Sequence, residues 1–185
     1  MRRTLLFGSL PLLLAVGCNR GADAPQLDVG NAVQLTSPAF ADGQPIPARY
    51  SKDGDNVSPP LKWADAPAGV KSFALVCDDS DAPSGVFTHW VIWDIPGGAR
   101  ELPEGQPPDA SMRDGTRQGK NGFGGVGYGG PQPPPGKPHH YHFRLYALDT
   151  TLLQLREAST TREDLEGALR GHVLAHGALV GTYQK

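Results

Sequence analysis

The chain has 185 residues, with 17 Lys and Arg against 19 Asp and Glu and 38% hydrophobic residues. A net charge of -2 with 19% charged residues excludes a basic nucleic-acid binder, an acidic solvating tail and a coiled coil. The 24 glycines and 18 prolines are interleaved with apolar runs and three tryptophans, which points to one mostly β domain of short strands and tight turns.

Met1, Arg2 and Arg3 make a basic start, and the apolar run from Leu5 to Val16 is too short to span a bilayer. It leads through Gly17 into Cys18. Small residues ahead of a Cys resemble the bacterial lipobox, where the thiol receives diacylglycerol and becomes the mature N-terminus; Ala15 stands where Leu is usual. The competing reading is an ordinary secretory signal with a coincidental Cys. Residues 1–17 are therefore expected to be a lipoprotein signal peptide, with Cys18 lipidated and 18–32 a flexible tether of small and polar residues. Asn19, rather than Asp, after the Cys points to the periplasmic face of the outer membrane if the host is Gram-negative. With Cys18 consumed, only Cys77 remains and no disulfide framework can form. Cys77 follows Phe73-Ala74-Leu75-Val76 and reads as a small buried hydrophobe.

The globular domain is expected over 33–185. Val70–Asp78 and Thr88–Ile95 are apolar runs bounded by Pro and Gly and read as interior strands. Between the second of these and the alternating strand Tyr141–Leu148 lies a Gly- and Pro-dominated loop, Gly119–Pro138, of a length that is often functional. One helix is predicted. Thr160-Thr161-Arg162-Glu163 offers a capping box, and Leu165, Ala168, Leu169, His172, Val173 and His176 follow at helical spacing. On that stripe His172 and His176 read as packing residues, and Gly171 weakens the helix.

Side chains alternate across a strand, so residues two apart share a face. By that rule Phe73, Leu75 and Cys77 continue into Asp79, and Phe143, Leu145 and Ala147 extend back to Tyr141 and His139. Phe87, His89, Val91 and Trp93 share a third parity. Three strands thus run from an apolar interior into a polar group, and if they are neighbours, these groups converge at one end of the core. Two imidazoles and a phenol offer donors to an oxyanion, while a carboxylate fixes one His tautomer and favours its protonation. With ordinary His pKa values of about 6.5, anion affinity is expected to rise as pH falls through that range. The loop Gly124–Gly130 offers further backbone N–H donors and Tyr128 as an aromatic wall. The tetrad Asp79-Ser80-Asp81-Ala82 also suits an Asx-type turn that stabilises its own loop.

Asp79-Ser80-Asp81-Ala82-Pro83, Thr88-His89-Trp90-Val91 and His139-His140-Tyr141-His142-Phe143-Arg144-Leu145-Tyr146-Ala147-Leu148 together resemble the signature regions of the phosphatidylethanolamine-binding proteins. The likeness is to their bacterial, Raf-kinase-inhibitor-like branch, and it runs from about Leu35 to Tyr183. Ser37-Pro38-Ala39-Phe40, Gly54-Asp55-Asn56-Val57-Ser58-Pro59-Pro60-Leu61 with Trp63, and Gly127-Tyr128-Gly129-Gly130-Pro131 add to it. The resemblance implies an antiparallel β-sandwich with one or two short helices. It also implies an anion pocket at one end, formed by Asp79, Asp81, His89, His139 and Tyr141, with the Ser58-Pro59-Pro60 and Gly-rich loops nearby. Ser80 stands where the family has Pro, His140 where it has Arg, and Gln132 where the bacterial branch often has Cys. The helix that borders the pocket in eukaryotic members is not expected after Tyr183, which would leave a more open pocket.

The function expected from this reading is an envelope lipoprotein that binds a small anionic or phosphorylated ligand without catalysis. The alternative is a protein–protein inhibitor of a kinase or protease. A nucleophile elbow and an HExxH motif are not found, so no catalytic residue is assigned. No cofactor and no metal are expected either, because His142 has the opposite strand parity from His139.

Overall fold

In the computed structural model, which describes residues 32–185, the order is β1 (Gln34–Thr36), β2 (Gln44–Pro45), a single 3-10 turn (Ala48–Tyr50), β3 (Leu61–Ala64) and β4 (Ser72–Asp79). There follow β5 (Phe87–Pro96), β6 (Glu101–Leu102), β7 (Arg117–Gln118), β8 (His139–Leu148), α1 (Arg162–Leu169) and β9 (Val173–Tyr183). The expected signal segment 1–17, Cys18 and the tether up to residue 31 lie outside the described residues. A six-stranded sheet, β2-β9-β8-β4-β5-β7, packs on a three-stranded one, β1-β3-β6. All pairs are antiparallel except β2 with β9.

The large sheet is covered on both faces, which is why β4 reads as a continuous apolar run with all eight residues buried. Phe73, Leu75 and Cys77 face the small sheet and pack with Trp63, Phe143 and Leu145. Ala74 and Val76 face the other way, onto Trp93, Leu152 and the α1 residues Leu165 and Leu169. The parity expected for β4 and β8 therefore holds from end to end.

Strand β5 departs from it. Opposite β4, Trp90 pairs with Cys77 but Thr88 pairs with Asp78, so His89 is an extra residue in a β-bulge. Beyond the bulge Trp90 and Ile92 face the sandwich, while Val91 and Trp93 face the helix layer. His89 and Val91 therefore do not share a face.

The helix is shorter than the sequence pattern predicts. Its cap is Thr161, reciprocally bonded with Asp164 rather than offered by Thr160 to Glu163, and it ends at Leu169. Gly171 then takes a φ of 80°, a left-handed turn that sends the chain into β9. His172 and His176 are accordingly not packing residues of a helix stripe. His172 is solvent-facing and bonds Asp149 at 2.9 Å, and His176 lies on the exposed face of β9. The inward residues of β9 are Ala175, Gly177, Leu179 and Gly181, so its two-residue period is nearly silent in hydropathy. Thr161→Ala is expected to cost about 1 kcal/mol, read as a lower urea midpoint with an unchanged slope. An unshifted midpoint would mean that burial of Leu165 and Leu169 alone holds α1.

Candidate functional site

At the end of the large sheet where β4 stops, β5 starts and β8 starts, a cavity of about 150 Å³ opens between two loops. Its polar lining is Asp79, His89 and His139, joined by Gln132 and Ser84. Its apolar lining is Phe87 and Phe123, with Ala82 and Pro83 on one wall and Pro133 and Pro134 on the other.

Each polar group is held by an identifiable bond. His139 Nδ1 lies 2.7 Å from Asp79 Oδ2, and both residues are buried. The other carboxylate oxygen of Asp79 accepts the Asp81 backbone N–H at 2.8 Å, which is the Asx turn the sequence suggested. Asp79 therefore serves as turn former and histidine partner at once. His89 Nδ1 lies 2.6 Å from the Gly129 carbonyl, and the Gly129 N–H donates back to the His89 carbonyl at 2.9 Å. The bulge is what makes this possible, because it aims the His89 ring toward the same end of the core as Asp79. Burial is the main influence on the His89 pKa and pushes it down, against smaller upward pulls from the Gly129 carbonyl and from Asp79.

Tyr141 sits beneath the site rather than in its wall. Its ring meets His89 edge-on at 5.1 Å, and its hydroxyl is buried with no hydrogen-bond partner. Burial first, and the neighbouring Asp79 charge second, push the phenol pKa far up, so it stays a neutral donor. The carboxylate of Asp81 does not line the cavity. It accepts both the backbone N–H and the Nδ1 of His140, at 2.8 and 2.7 Å, and those bonds hold its pKa below the usual carboxylate range. His140 thus gives Asp81 a partner on the rim. Of the five residues expected to converge, three line the cavity, Tyr141 supports it from below, and Asp81 pins the loop that carries Ala82 and Pro83.

The Gly-rich loop contributes differently from the expectation. Its amides are committed within the protein: Gly125 N–H to Asn121 Oδ1, Gly127 N–H to the Gly119 carbonyl, and Gly130 N–H to Asn56 Oδ1. Asn121 is the organiser, since its amide also donates to the Gly127 carbonyl and accepts from Phe123 N–H. Tyr128 faces away and donates to the Tyr50 carbonyl, so the aromatic wall is Phe123 instead. The Phe123 ring packs edge-on against Phe87 at 4.7 Å, and the Lys52 ammonium lies 3.5 Å from its centroid. Ser58 is buried, accepts from Gln106 N–H, and does not line the cavity. Phe87, Phe123, Lys52 and Gln132 were not singled out as site residues, because nothing local to them marks a pocket. The one local pointer is Gln132, standing where the bacterial branch often has Cys.

A fixed pair of imidazoles beside a carboxylate, under apolar walls, suits a small anion carrying a short apolar or aliphatic substituent. Comparisons with known proteins agree with the fold. The family model described as phosphatidylethanolamine-binding protein matches residues 36–184. A UPF0098 protein of Methanothermobacter thermautotrophicus is 49% identical over 153 residues, 83% of this chain and 99% of that protein. The crystal structure of a phosphatidylethanolamine-binding protein homologue from Chlamydia trachomatis matches with a TM-score of 0.75 and 39% identity, over 84% of this chain and 99% of that one. E. coli YbcL, described as a new member of the mammalian family, matches with a TM-score of 0.73 and 32% identity, over 83% of this chain and 98% of that one.

Proposed function

The chain belongs to the phosphatidylethanolamine-binding protein family, and on that premise we propose that it binds a small anionic or phosphorylated ligand, without catalysis, in the cavity between Asp79, His89 and His139. The observation that carries this reading is the convergence of two buried imidazoles and their anchoring groups around one small opening. Asp79 holds His139 through one oxygen and the Asp81 amide through the other, which fixes the imidazole in place beside the opening. Lys52, stacked on the Phe123 ring, adds a long-range attraction for anions, and the prolines and Phe123 give the cavity apolar walls.

In the same proposal the protein is an envelope lipoprotein. The basic start, the short apolar run and Cys18 support export and lipidation, which would tether the domain to a membrane with its pocket in the aqueous envelope.

The test is titration of inorganic phosphate into the purified domain by calorimetry or NMR. His89→Ala and His139→Ala are each expected to weaken binding about tenfold or more, the loss of one hydrogen bond to a charged group, while the fold is retained. Phosphate affinity unchanged in both variants would remove the pocket from consideration.

A further inference from the structure

A second opening lies on the other side of the Gly-rich loop, between that loop and the turn into α1. It is a groove of about 460 Å³, against about 150 Å³ for the anion cavity. Its lining comes from β5 through Thr88, from the loop through Lys120 and Phe123, and from the start of α1 through Arg162 and Glu163. The two openings have only the Phe123 ring in common.

Hydrogen bonds between segments hold the walls of this groove in place. The Lys120 N–H donates to the Thr160 carbonyl and the Gly122 N–H to the Thr88 carbonyl, each at 2.8 Å, so the loop is tied to both of its neighbours. A Cβ at Gly119 would collide with the Thr160 carbonyl oxygen, and only a glycine lets the loop come this close. Buried Asn121 then fixes the turn of the loop through the Phe123 and Gly125 N–H groups and the Gly127 carbonyl. On the opposite wall the capping box between Thr161 and Asp164 sets the start of α1. Walls held before a ligand arrives lose little entropy when one binds.

Three kinds of group meet in the lining. Phe123 is 38% exposed and offers an apolar ring surface. Arg162 and Glu163 pair at 3.1 Å and set N–H donors beside a carboxylate acceptor. Arg162 also faces Glu166 and Asp78, at 3.6 and 3.9 Å, so its charge is neutralised within the protein. Lys120 is exposed and has no ion-pair partner among the described residues, which leaves the groove one uncompensated positive charge. We infer that the groove binds an acidic sugar, a hexose-sized ring bearing one carboxylate or phosphate. The C–H face of such a ring packs on an aromatic surface, and its hydroxyls, each both donor and acceptor, match the Arg162–Glu163 pair. Its acidic substituent answers Lys120. A bare inorganic anion would use Lys120 alone, an exposed charge that salt screens. A neutral sugar would leave that ammonium unused.

The experiment is an NMR titration of the protein with glucuronate, glucose 6-phosphate and glucose at one ionic strength. Both acidic sugars are expected to shift the backbone amides of Thr88, Gly122, Gly124 and Glu163, and to bind about tenfold or more tightly than glucose, the worth of one hydrogen bond to a charged group. Lys120→Ala removes an exposed side chain, so the fold is retained, and it should bring both acidic sugars down to the affinity of glucose. Methyl glucuronide, blocked at the anomeric carbon as a glycan terminus is, distinguishes a polysaccharide end from a free sugar acid, and preference for either supports the inference. Acidic sugars that bind no more tightly than glucose, or as tightly to Lys120→Ala as to the wild type, would overturn it. Shifts confined to the amides of His89, Gly129 and His139 would assign the sugar to the first cavity and overturn the groove as a site, as would the absence of any shift. None of these results depends on whether inorganic phosphate enters the first cavity.

Discussion

Arg144→Ala is expected to destabilise the protein by about 3–5 kcal/mol. Asp78 lies on β4 with its side chain turned away from the sandwich, toward the layer of α1, and it is fully buried. Its Oδ2 is bonded by the Arg144 guanidinium from β8, while Arg162 of α1 stands farther off at 3.9 Å. Its Oδ1 has no partner at all. Removing Arg144 strands a buried carboxylate whose nearest remaining cation is outside hydrogen-bond distance, and the desolvation of that charge goes uncompensated. Replacing both ends with apolar residues of similar size, Asp78→Leu with Arg144→Met, should cost much less than the single change, because no charge is left behind. Chemical denaturation of the three variants measures this. A loss under about 1 kcal/mol for Arg144→Ala, the value of an exposed pair, would show that water reaches Asp78.

Gly130→Ala is expected to abolish phosphate binding and to destabilise the fold by about 1–3 kcal/mol, the range for overpacking. A Cβ on Gly130 would sit 2.3 Å from the Tyr50 carbonyl oxygen and 2.9 Å from Ser51 Cα. Both are backbone atoms, so neither can swing aside. The relief available is to move the Gly129–Gly130 segment, and that segment carries the carbonyl that fixes His89. The imidazole would lose its tautomer lock and its aim together. Gly98→Ala, where an added Cβ meets nothing within 4 Å, is the control and should leave stability and binding unchanged. Wild-type phosphate affinity in Gly130→Ala would show that the Gly129 carbonyl does not position the ring.

Much of this site was legible in the residues because strand alternation is a local property. Asp79 and the pair His139 and Tyr141 follow from counting by twos along β4 and β8, strands whose register runs unbroken from Ser72–Leu148 to Asp79–Tyr141. Strand alternation puts His89 at the site for a reason that fails. Its expected parity with Val91 and Trp93 is broken by the bulge, and it reaches the pocket because one extra residue turns it back. The tail of the predicted helix failed similarly. Leu169 to His176 fits a helical period, but Gly171 reverses the chain and the long pairing with β8 makes residues 173–183 a strand. Asp81 could be read as part of a motif but not oriented, since its carboxylate answers to His140, on another strand.

By itself the amino-acid sequence determined the mostly β class, the family, and which apolar runs end in a carboxylate or an imidazole. These depend on residue type and short spacing, which extended backbone converts directly into facing. Tertiary structure alone decided that the Gly-rich loop lends a carbonyl and Phe123 instead of amides, that Lys52 stacks on Phe123 and Gln132 lines the cavity, and that both Nδ1 atoms are spent on acceptors. Those outcomes are set by hydrogen bonds between segments tens of residues apart, such as His89 with Gly129 and Asp79 with His139, and no local pattern encodes which partner a polar atom will meet.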